Sequence, residues 1–221
     1  MKSFLKFVVS VIWKVVLIHT LIRTIRHFHK FPMPQWMANL IDNPMRRRIQ
    51  PPESMPLRHG LKPGQVVLEV GPGNGRYSLA TARYLGESGK LVVVDIEPKM
   101  IHRVVERAQA EGATNVEART ANVHALPFED GTFDAVYMIT VIGEIPQPER
   151  AAAEFYRVLK PGGTLAFSEL FLDPDYPLAG TLIRWAGRAG FTAWHKTGGF
   201  FAYSLVFEKP GLNQKQDEQD T

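Results

Sequence analysis

The chain has 221 residues, of which 45% are hydrophobic and 22% are charged, a balance that suits one globular domain with a full core. It contains no cysteine, which excludes disulfides, thiolate metal sites and a cysteine nucleophile. The formal net charge of +4 comes entirely from the first 50 residues, which hold nine Lys or Arg and one acid, because the rest of the chain sums to −4.

The first predicted element is an apolar helix near the N-terminus. Residues 4–22 include thirteen Phe, Leu, Val or Ile, and a helix of that length would be about 28 Å long, close to the hydrocarbon thickness of a bilayer. Lys2, Lys6, Ser10 and Lys14 recur every four residues, and such a polar stripe also suits a helix that lies in the membrane interface. We therefore expect residues 1–30 to form a membrane anchor, either transmembrane or interfacial.

The basic residues of the same region support this expectation. They follow the apolar segment directly, where they can contact anionic headgroups and hold the next domain on the cytoplasmic side. Two alternatives remain: a packing or dimerisation helix that is covered by protein, and a nucleic-acid contact made by the basic residues.

The most informative motif is a strand that runs into three glycines at alternate positions. The apolar run Val66–Val70 is typical of a buried parallel strand, and Gly71, Gly73 and Gly75 allow the backbone to turn sharply and approach a ligand. The helix that follows offers unpaired N–H groups to that ligand. A second strand ends in Asp95, which is placed to accept the hydroxyls of a ribose or, alternatively, to cap the next helix.

With Glu69 before the glycines, the pattern E-x-G-x-G-x-G resembles motif I of the class I S-adenosylmethionine-dependent methyltransferases. Residues 120–136 resemble the adenine-binding loop and fourth strand of that family, although Asn122 stands where many members carry Asp. The Asn carbonyl can still accept a hydrogen bond from the adenine amino group, and the Val123 N–H can donate to ring N1. The resemblance implies S-adenosylmethionine as the cofactor, with these binding residues: Glu69, Gly71, Gly73, Gly75, Asp95, Ile96, Asn122, Val123 and Thr140.

Strands and helices alternate through residues 58–208, which predicts a parallel sheet with helices on both faces. We expect strands at 65–70, 91–95, 115–119, 133–139 and 163–169, and helices at 75–86, 98–111, 147–159 and 178–189. A Pro-Gly-Gly stop precedes the fifth strand, and residues 191–196 and 200–208 form a hairpin joined through 197–199. Together with the strand order of the family, this gives an α/β fold, a Rossmann-like seven-stranded, mostly parallel sheet with an antiparallel C-terminal hairpin. Residues 209–221 are nearly without apolar side chains and are expected to be a disordered tail.

The resemblance also implies the chemistry, a direct displacement at the methyl carbon that needs neither a metal nor a covalent enzyme intermediate. Much of the rate enhancement of such a reaction comes from alignment and the exclusion of water, so no catalytic residue is conspicuous. The weak candidates for a general base are Glu144 and Glu169. An equally good interpretation of Glu144 is a solvated acid at a helix start, next to the positive end of the helix dipole.

Prolines divide residues 31–57 into short apolar pieces, so this connecting segment is too apolar to be a free linker. In related methyltransferases the segment before motif I folds over cofactor and substrate. Its apolar residues therefore form a lid or, alternatively, cover one face of the sheet: Trp36, Met37, Leu40 and Ile41.

The acceptor is the least determined part of the prediction. The domain has no insertion large enough for a substrate lobe, so the acceptor pocket should be shallow or completed by residues 30–57 beside the membrane. We therefore expect a membrane-associated enzyme, with its catalytic domain in the cytoplasm, that methylates a small lipophilic acceptor such as a phospholipid or a quinone precursor. The Asn/Asp-Pro-Pro-aromatic signature is missing after the fourth strand, so no nucleic-acid partner is expected. The alternatives are a tethered methyltransferase of a soluble small molecule and a non-catalytic protein that binds S-adenosylmethionine.

Overall fold

A computed structural model of the chain describes residues 44–211 and, before them, positions 6, 9, 10, 13, 14, 17 and 20–24, which are helical. No helix among these described residues is long and apolar enough to cross a membrane. Most of the expected anchor lies outside the described residues, as do the four expected lid residues and positions 212–221 of the expected tail. The bounds assigned to anchor, connecting segment, domain and tail stay predictions.

The described part of the chain is an α/β domain built on one seven-stranded sheet with the order β3-β2-β1-β4-β5-β7-β6. The strands are β1 (Val66–Val70), β2 (Lys90–Asp95), β3 (Val116–Thr120), β4 (Phe133–Ile139), β5 (Leu159–Leu170), β6 (Ala193–Gly198) and β7 (Ala202–Glu208). The helices are α1 (Pro44–Ile49), α2 (Met55–Arg58), α3 (Arg76–Leu85), α4 (Pro98–Ala110), α5 (Pro148–Val158) and α6 (Ala179–Arg188), with a 3-10 turn at Pro52–Ser54. The first five strands run parallel, whereas β7 is antiparallel to both β5 and β6. The predicted fold class is confirmed.

The strands alternate their side chains between two apolar layers, which explains why helices cover both faces of the sheet. On one face, alternate residues of β1, β2 and β4 pack with α3 and α4 and with Met55 of α2. On the other face, the intervening residues pack with α5 and α6, among them Phe155 and Leu182. This arrangement buries β1 and β4 at the centre of the sheet and leaves their carboxyl ends free to form a site.

The structure corrects two element boundaries. The Pro-Gly-Gly sequence at 161–163 lies inside β5 rather than before it, because the strand begins at Leu159 and its register against β4 shifts in this region. The hairpin turn is also displaced, since Thr197 and Gly198 still pair with β7 and the turn is formed by 199–201. In both cases glycine residues that favour turns occur within irregular strand ends.

Candidate functional site

A cavity of about 360 Å³ opens at the carboxyl ends of β1, β2 and β4, the usual position of ligands in open α/β sheets. The cavity collects eight of the nine predicted cofactor-binding residues: Glu69, Gly71, Gly73, Asp95, Ile96, Asn122, Val123 and Thr140. The ninth, Gly75, lies outside the lining. Of the two candidate bases, Glu144 lines the cavity and Glu169 does not.

The three glycines have different structural roles. All have positive φ angles, of 70° at Gly71, 58° at Gly73 and 78° at Gly75, which other residues rarely adopt. A Cβ on Gly71 would lie 2.5 Å from a methyl group of Val141, and one on Gly75 would lie 3.2 Å from a methyl group of Val104. A Cβ on Gly73 would meet no atom within 4 Å. Gly71 and Gly75 therefore allow close packing, whereas Gly73 keeps space open where the turn borders the cavity.

Glu69, at the end of β1, is a buried carboxyl group with spare hydrogen-bonding capacity. Its side chain is 2% exposed, and Oε2 has no hydrogen-bond partner within the described residues. The pKa of Glu69 is raised to about 7, chiefly by burial and to a smaller extent by the charge of Asp95, while the hydroxyls of Ser78 and Tyr137 act in the opposite direction. A cationic group in the cavity would supply the missing partner.

Asp95 ends β2, and its geometry tests the alternative that it caps α4. Its Oδ1 accepts a hydrogen bond of 2.8 Å from the backbone N–H of Glu97. The residue in the N-cap position of α4 is Glu97, and it makes no side-chain capping bond. Asp95 thus stabilises the turn before the helix rather than the helix end. Since a carboxylate has about four acceptor positions, capacity remains for a ligand at the cavity.

The far end of the cavity is lined by the loop after β3 and by apolar side chains that include Met100. Asn122 Oδ1 accepts a 2.9 Å hydrogen bond from the His124 N–H, so the amide shapes the loop in addition to facing the cavity. His124 also lines the cavity, and its Nε2 lies 2.7 Å from the carbonyl of Pro146. The N–H of Val123 makes no hydrogen bond within the part of the chain that the structure describes.

Arg46 is a cavity residue that sequence reasoning missed. It is the only Lys or Arg among the described residues that line the cavity, and its side chain is buried. Its Nη2 donates a 2.6 Å hydrogen bond to Thr140 Oγ1, and its guanidinium lies 5.7 Å from the centre of the Tyr77 ring. Thr140 has a φ of +54°, a strained conformation of the kind that clusters at functional sites. Arg46 belongs to the basic run 46–48, and nothing in that pattern distinguishes the buried member.

Three carboxyl groups lie in or near the part of the cavity that Arg46 lines. Glu144 and the buried Asp173 line it, and Glu169 lies fully buried at the end of β5. Burial raises the pKa of Glu169 well above its usual value, and nearby acidic charges, foremost that of Asp173, raise it further against the opposing effect of Arg46. Glu169 is therefore harder to ionise than an exposed carboxyl group, and it does not line the cavity, so it is the weaker candidate for a general base.

Glu144 is better placed than Glu169. It lies in the turn after β4, and α5 begins only at Pro148 after an N-cap at Gln147. The alternative interpretation as a helix-start acid is therefore wrong, and Glu144 stays the candidate that borders the cavity. Among the described residues no group of three or more His, Asp or Glu is arranged to hold a metal ion.

Comparisons with known proteins relate the chain to methyltransferases. Residues 68–167 match the sequence profile of the family described as "Methyltransferase domain". The chain is 38% identical over 119 residues to the ubiquinone/menaquinone biosynthesis C-methyltransferase UbiE of Escherichia fergusonii, a match that covers 52% of this chain and 47% of that protein. It is 31% identical over 168 residues to the UbiE protein of Haemophilus ducreyi, with 73% of this chain and 63% of that protein covered.

A solved structure, an S-adenosylmethionine-dependent methyltransferase from Aquifex aeolicus, superimposes with a TM-score of 0.74 at 24% identity and covers 80% of this chain and 99% of that one. At that identity the likeness establishes the fold. Taken with the sequence matches, the domain resembles the class I S-adenosylmethionine-dependent methyltransferases in sequence and in fold, and these matches imply S-adenosylmethionine as the cofactor. The chain spans about half the length of the Escherichia relative.

Proposed function

We propose that this chain is a methyltransferase that transfers the methyl group of S-adenosylmethionine to a small lipophilic acceptor, of the quinone-precursor type, at a membrane surface. The observation that carries the proposal is the cavity itself, where the glycine turn, two acids at strand ends and the loop after β3 meet. The two UbiE relatives, named for C-methylation in ubiquinone and menaquinone biosynthesis, support the acceptor class.

The cavity residues fit the cofactor group by group. The unpartnered Oε2 of Glu69 suits the ammonium group of the methionine part, and the remaining acceptor capacity of Asp95 suits the ribose diol. The open space at Gly73 admits a ligand close to the backbone. Asn122 and the Val123 N–H suit the hydrogen-bonding edge of the adenine. When bound, S-adenosylmethionine supplies an electrophilic methyl group to a nucleophilic atom of the acceptor.

Arg46 places a positive charge in the lining of the cavity. Because it is bonded to Thr140 at the end of β4, its guanidinium is held at the side of the cavity where Glu144 and Asp173 also lie. A buried guanidinium suits a carboxylate, so we assign Arg46 to the carboxylate of the methionine part. Glu144 is the candidate to accept a proton from an acceptor, because it lines the cavity and Glu169 does not.

The lipophilic character of the acceptor follows from the surface beside the cavity. Leu172 precedes the cavity residue Asp173, and both Leu172 and Leu178 are exposed although they are large and apolar. The apolar and basic N-terminal region, residues 1–30, would hold this side of the domain at a membrane. An acceptor dissolved in the bilayer would then reach the cavity without passing through water.

Deletion of residues 1–25 tests the membrane part of the proposal. We expect the truncated protein to move from the membrane fraction to the soluble fraction, to bind S-adenosylhomocysteine as the full chain does, and to lose turnover of acceptor supplied in membranes. If the full chain is already soluble without detergent and does not bind anionic vesicles, the proposed membrane location is wrong. Full turnover of a water-soluble acceptor by the truncated protein would instead support the tethered enzyme of a soluble substrate.

A further inference from the structure

The turn between β6 and β7 exposes two phenylalanines where turns normally carry polar residues or glycine. Phe200 is 56% exposed and Phe201 is 72% exposed. Residues that favour turns are mostly Gly, Pro, Asn, Asp and Ser, because they satisfy or relieve the backbone there. Together with the exposed Leu172 and Leu178, the two rings give this part of the surface an apolar character. We call residues 199–201 the hairpin tip.

The backbone of the hairpin tip is held from inside the domain. The hydroxyl of Tyr176 donates a hydrogen bond to the carbonyl of Phe200, and the N–H of Phe171 donates one of 2.8 Å to the carbonyl of Phe201. The ring of Phe171 lies 5.0 Å from that of Phe200 and 5.7 Å from that of Phe201, measured between centroids. The polar backbone groups therefore point into the protein while the apolar rings remain exposed. Such an arrangement favours contact of the tip with an apolar environment rather than water.

Two cations lie against an aromatic cluster behind the tip, which consists of Phe171, Tyr176 and Tyr203. The guanidinium of Arg23 lies 5.9 Å from the centre of the Tyr176 ring, and its Nη2 donates a 2.8 Å hydrogen bond to the Tyr176 carbonyl. The ammonium of Lys196 lies 5.6 Å from the centre of the Tyr203 ring. The tip thus combines exposed aromatic rings with positive charges on the same cluster, a combination suited to the headgroup region of an anionic bilayer.

The contact of Arg23 also brings the N-terminal helical residues to this surface. Trp13, Leu17 and Leu21 are exposed and spaced four residues apart, so they share one face of a helix. Arg23 joins the end of that helical run to Tyr176, next to the tip. Arg23 therefore lies beside the aromatic residues behind the tip, and the N–H of Tyr176 donates a 3.1 Å hydrogen bond to the carbonyl of the cavity residue Asp173.

We propose that the hairpin tip inserts Phe200 and Phe201 into the interface of an anionic lipid bilayer and fixes the cavity mouth towards the membrane. The charge of the chain favours a bilayer over a protein partner, because residues 1–30 hold six Lys or Arg and no acid and thus complement anionic lipid. This inference rests on the membrane-surface function proposed above and adds a second contact, remote in sequence from residues 1–30.

Vesicle co-flotation of the full chain tests the tip. The vesicles contain either phosphatidylcholine alone or phosphatidylcholine mixed with phosphatidylserine, and the test variant is Phe200→Ser with Phe201→Ser. Trp194→Ser is the matched control, since Trp194 is a 51% exposed aromatic of the same hairpin, at the opposite end of β6. We expect the wild type and the control to bind the anionic vesicles and the double variant to bind roughly tenfold or more weakly.

The outcomes separate this inference from the proposed function. A wild-type chain that binds neither vesicle type refutes the membrane-surface function itself. A wild type and double variant with equal vesicle affinity refute only the insertion of the tip. If the double variant changes the oligomeric state in size-exclusion chromatography while vesicle binding is unchanged, the surface contacts a second copy and the inference is wrong. Where the double variant fails to fold, as judged by thermal unfolding, the single variant Phe201→Ser decides on the same criteria.

Discussion

Replacing Asp95 with Asn should weaken cofactor binding while leaving the fold intact. Asp95 Oδ1 already accepts the Glu97 N–H at 2.8 Å, and an Asn carbonyl can keep that bond. The second oxygen, however, becomes an NH₂ group, which donates where a ribose hydroxyl requires an acceptor. The loss of one hydrogen bond to a charged acceptor costs about 1.5–3 kcal/mol, or roughly a 10- to 150-fold rise in Kd.

The assay is isothermal titration of S-adenosylhomocysteine, which avoids turnover. Asp130→Asn is the matched control, because Asp130 is an exposed carboxylate that does not line the cavity and pairs with Arg157 on the surface. Its substitution removes the same charge and should leave Kd unchanged. Burial raises the pKa of Asp95, so the free energy of unfolding of Asp95→Asn should not fall. An unchanged Kd in Asp95→Asn would refute the ribose assignment.

Three further substitutions test the cavity. Burial raises the pKa of Glu69 to about 7, so the native state keeps a proton that the unfolded state releases from about pH 4.5 upwards. Relative to Glu69→Gln, the wild type should therefore lose about 3 kcal/mol of unfolding free energy between pH 4.5 and pH 8, as measured by urea titration without ligand. A difference in unfolding free energy between the two proteins that does not change with pH would contradict this. Gly73→Ala and Gly60→Ala both place a Cβ in open space at a positive φ, so each should lower the free energy of unfolding by about 1 kcal/mol. Only Gly73→Ala should raise the Kd of S-adenosylhomocysteine, at least tenfold. Arg46→Gln should weaken the binding of S-adenosylhomocysteine by about 1.5–3 kcal/mol and leave the binding of 5′-methylthioadenosine, which lacks the carboxylate, unchanged. The control Arg48→Gln, at an exposed position, should change the binding of neither ligand. Equal losses of affinity for both ligands in Arg46→Gln would exclude the carboxylate assignment.

Much of the fold was predictable because its signals are local. Apolar runs bounded by Gly, Pro and acids define β1, β2 and β4, and the observed bounds of β4 equal the predicted 133–139. The glycines after β1 were recognised from spacing alone, and Gly71 and Gly73 line the cavity. Irregular strand ends were not predictable, since Gly162 and Gly198 are turn-forming residues in sequence but lie within β5 and β6.

The missed part of the site depends on contacts between residues distant in sequence. Arg46 is buried because it meets Tyr77 and Thr140, which belong to α3 and to the end of β4. Nothing in the basic run 46–48 identifies which arginine makes those contacts. The choice between the two candidate bases has a similar cause, because burial and neighbouring charges raise the pKa of Glu169, and only Glu144 lines the cavity.

The most direct measurement supplies methyl-labelled S-adenosylmethionine to the full chain together with a whole-cell extract that includes membranes, and counts label in the organic and aqueous phases. Asp95→Asn serves as the control for cofactor-dependent transfer. We predict label in the organic phase with the wild type and a strong reduction with Asp95→Asn. Label confined to the aqueous phase would contradict the lipophilic acceptor, and no label at all from a chain that binds the cofactor would contradict the methyltransferase activity.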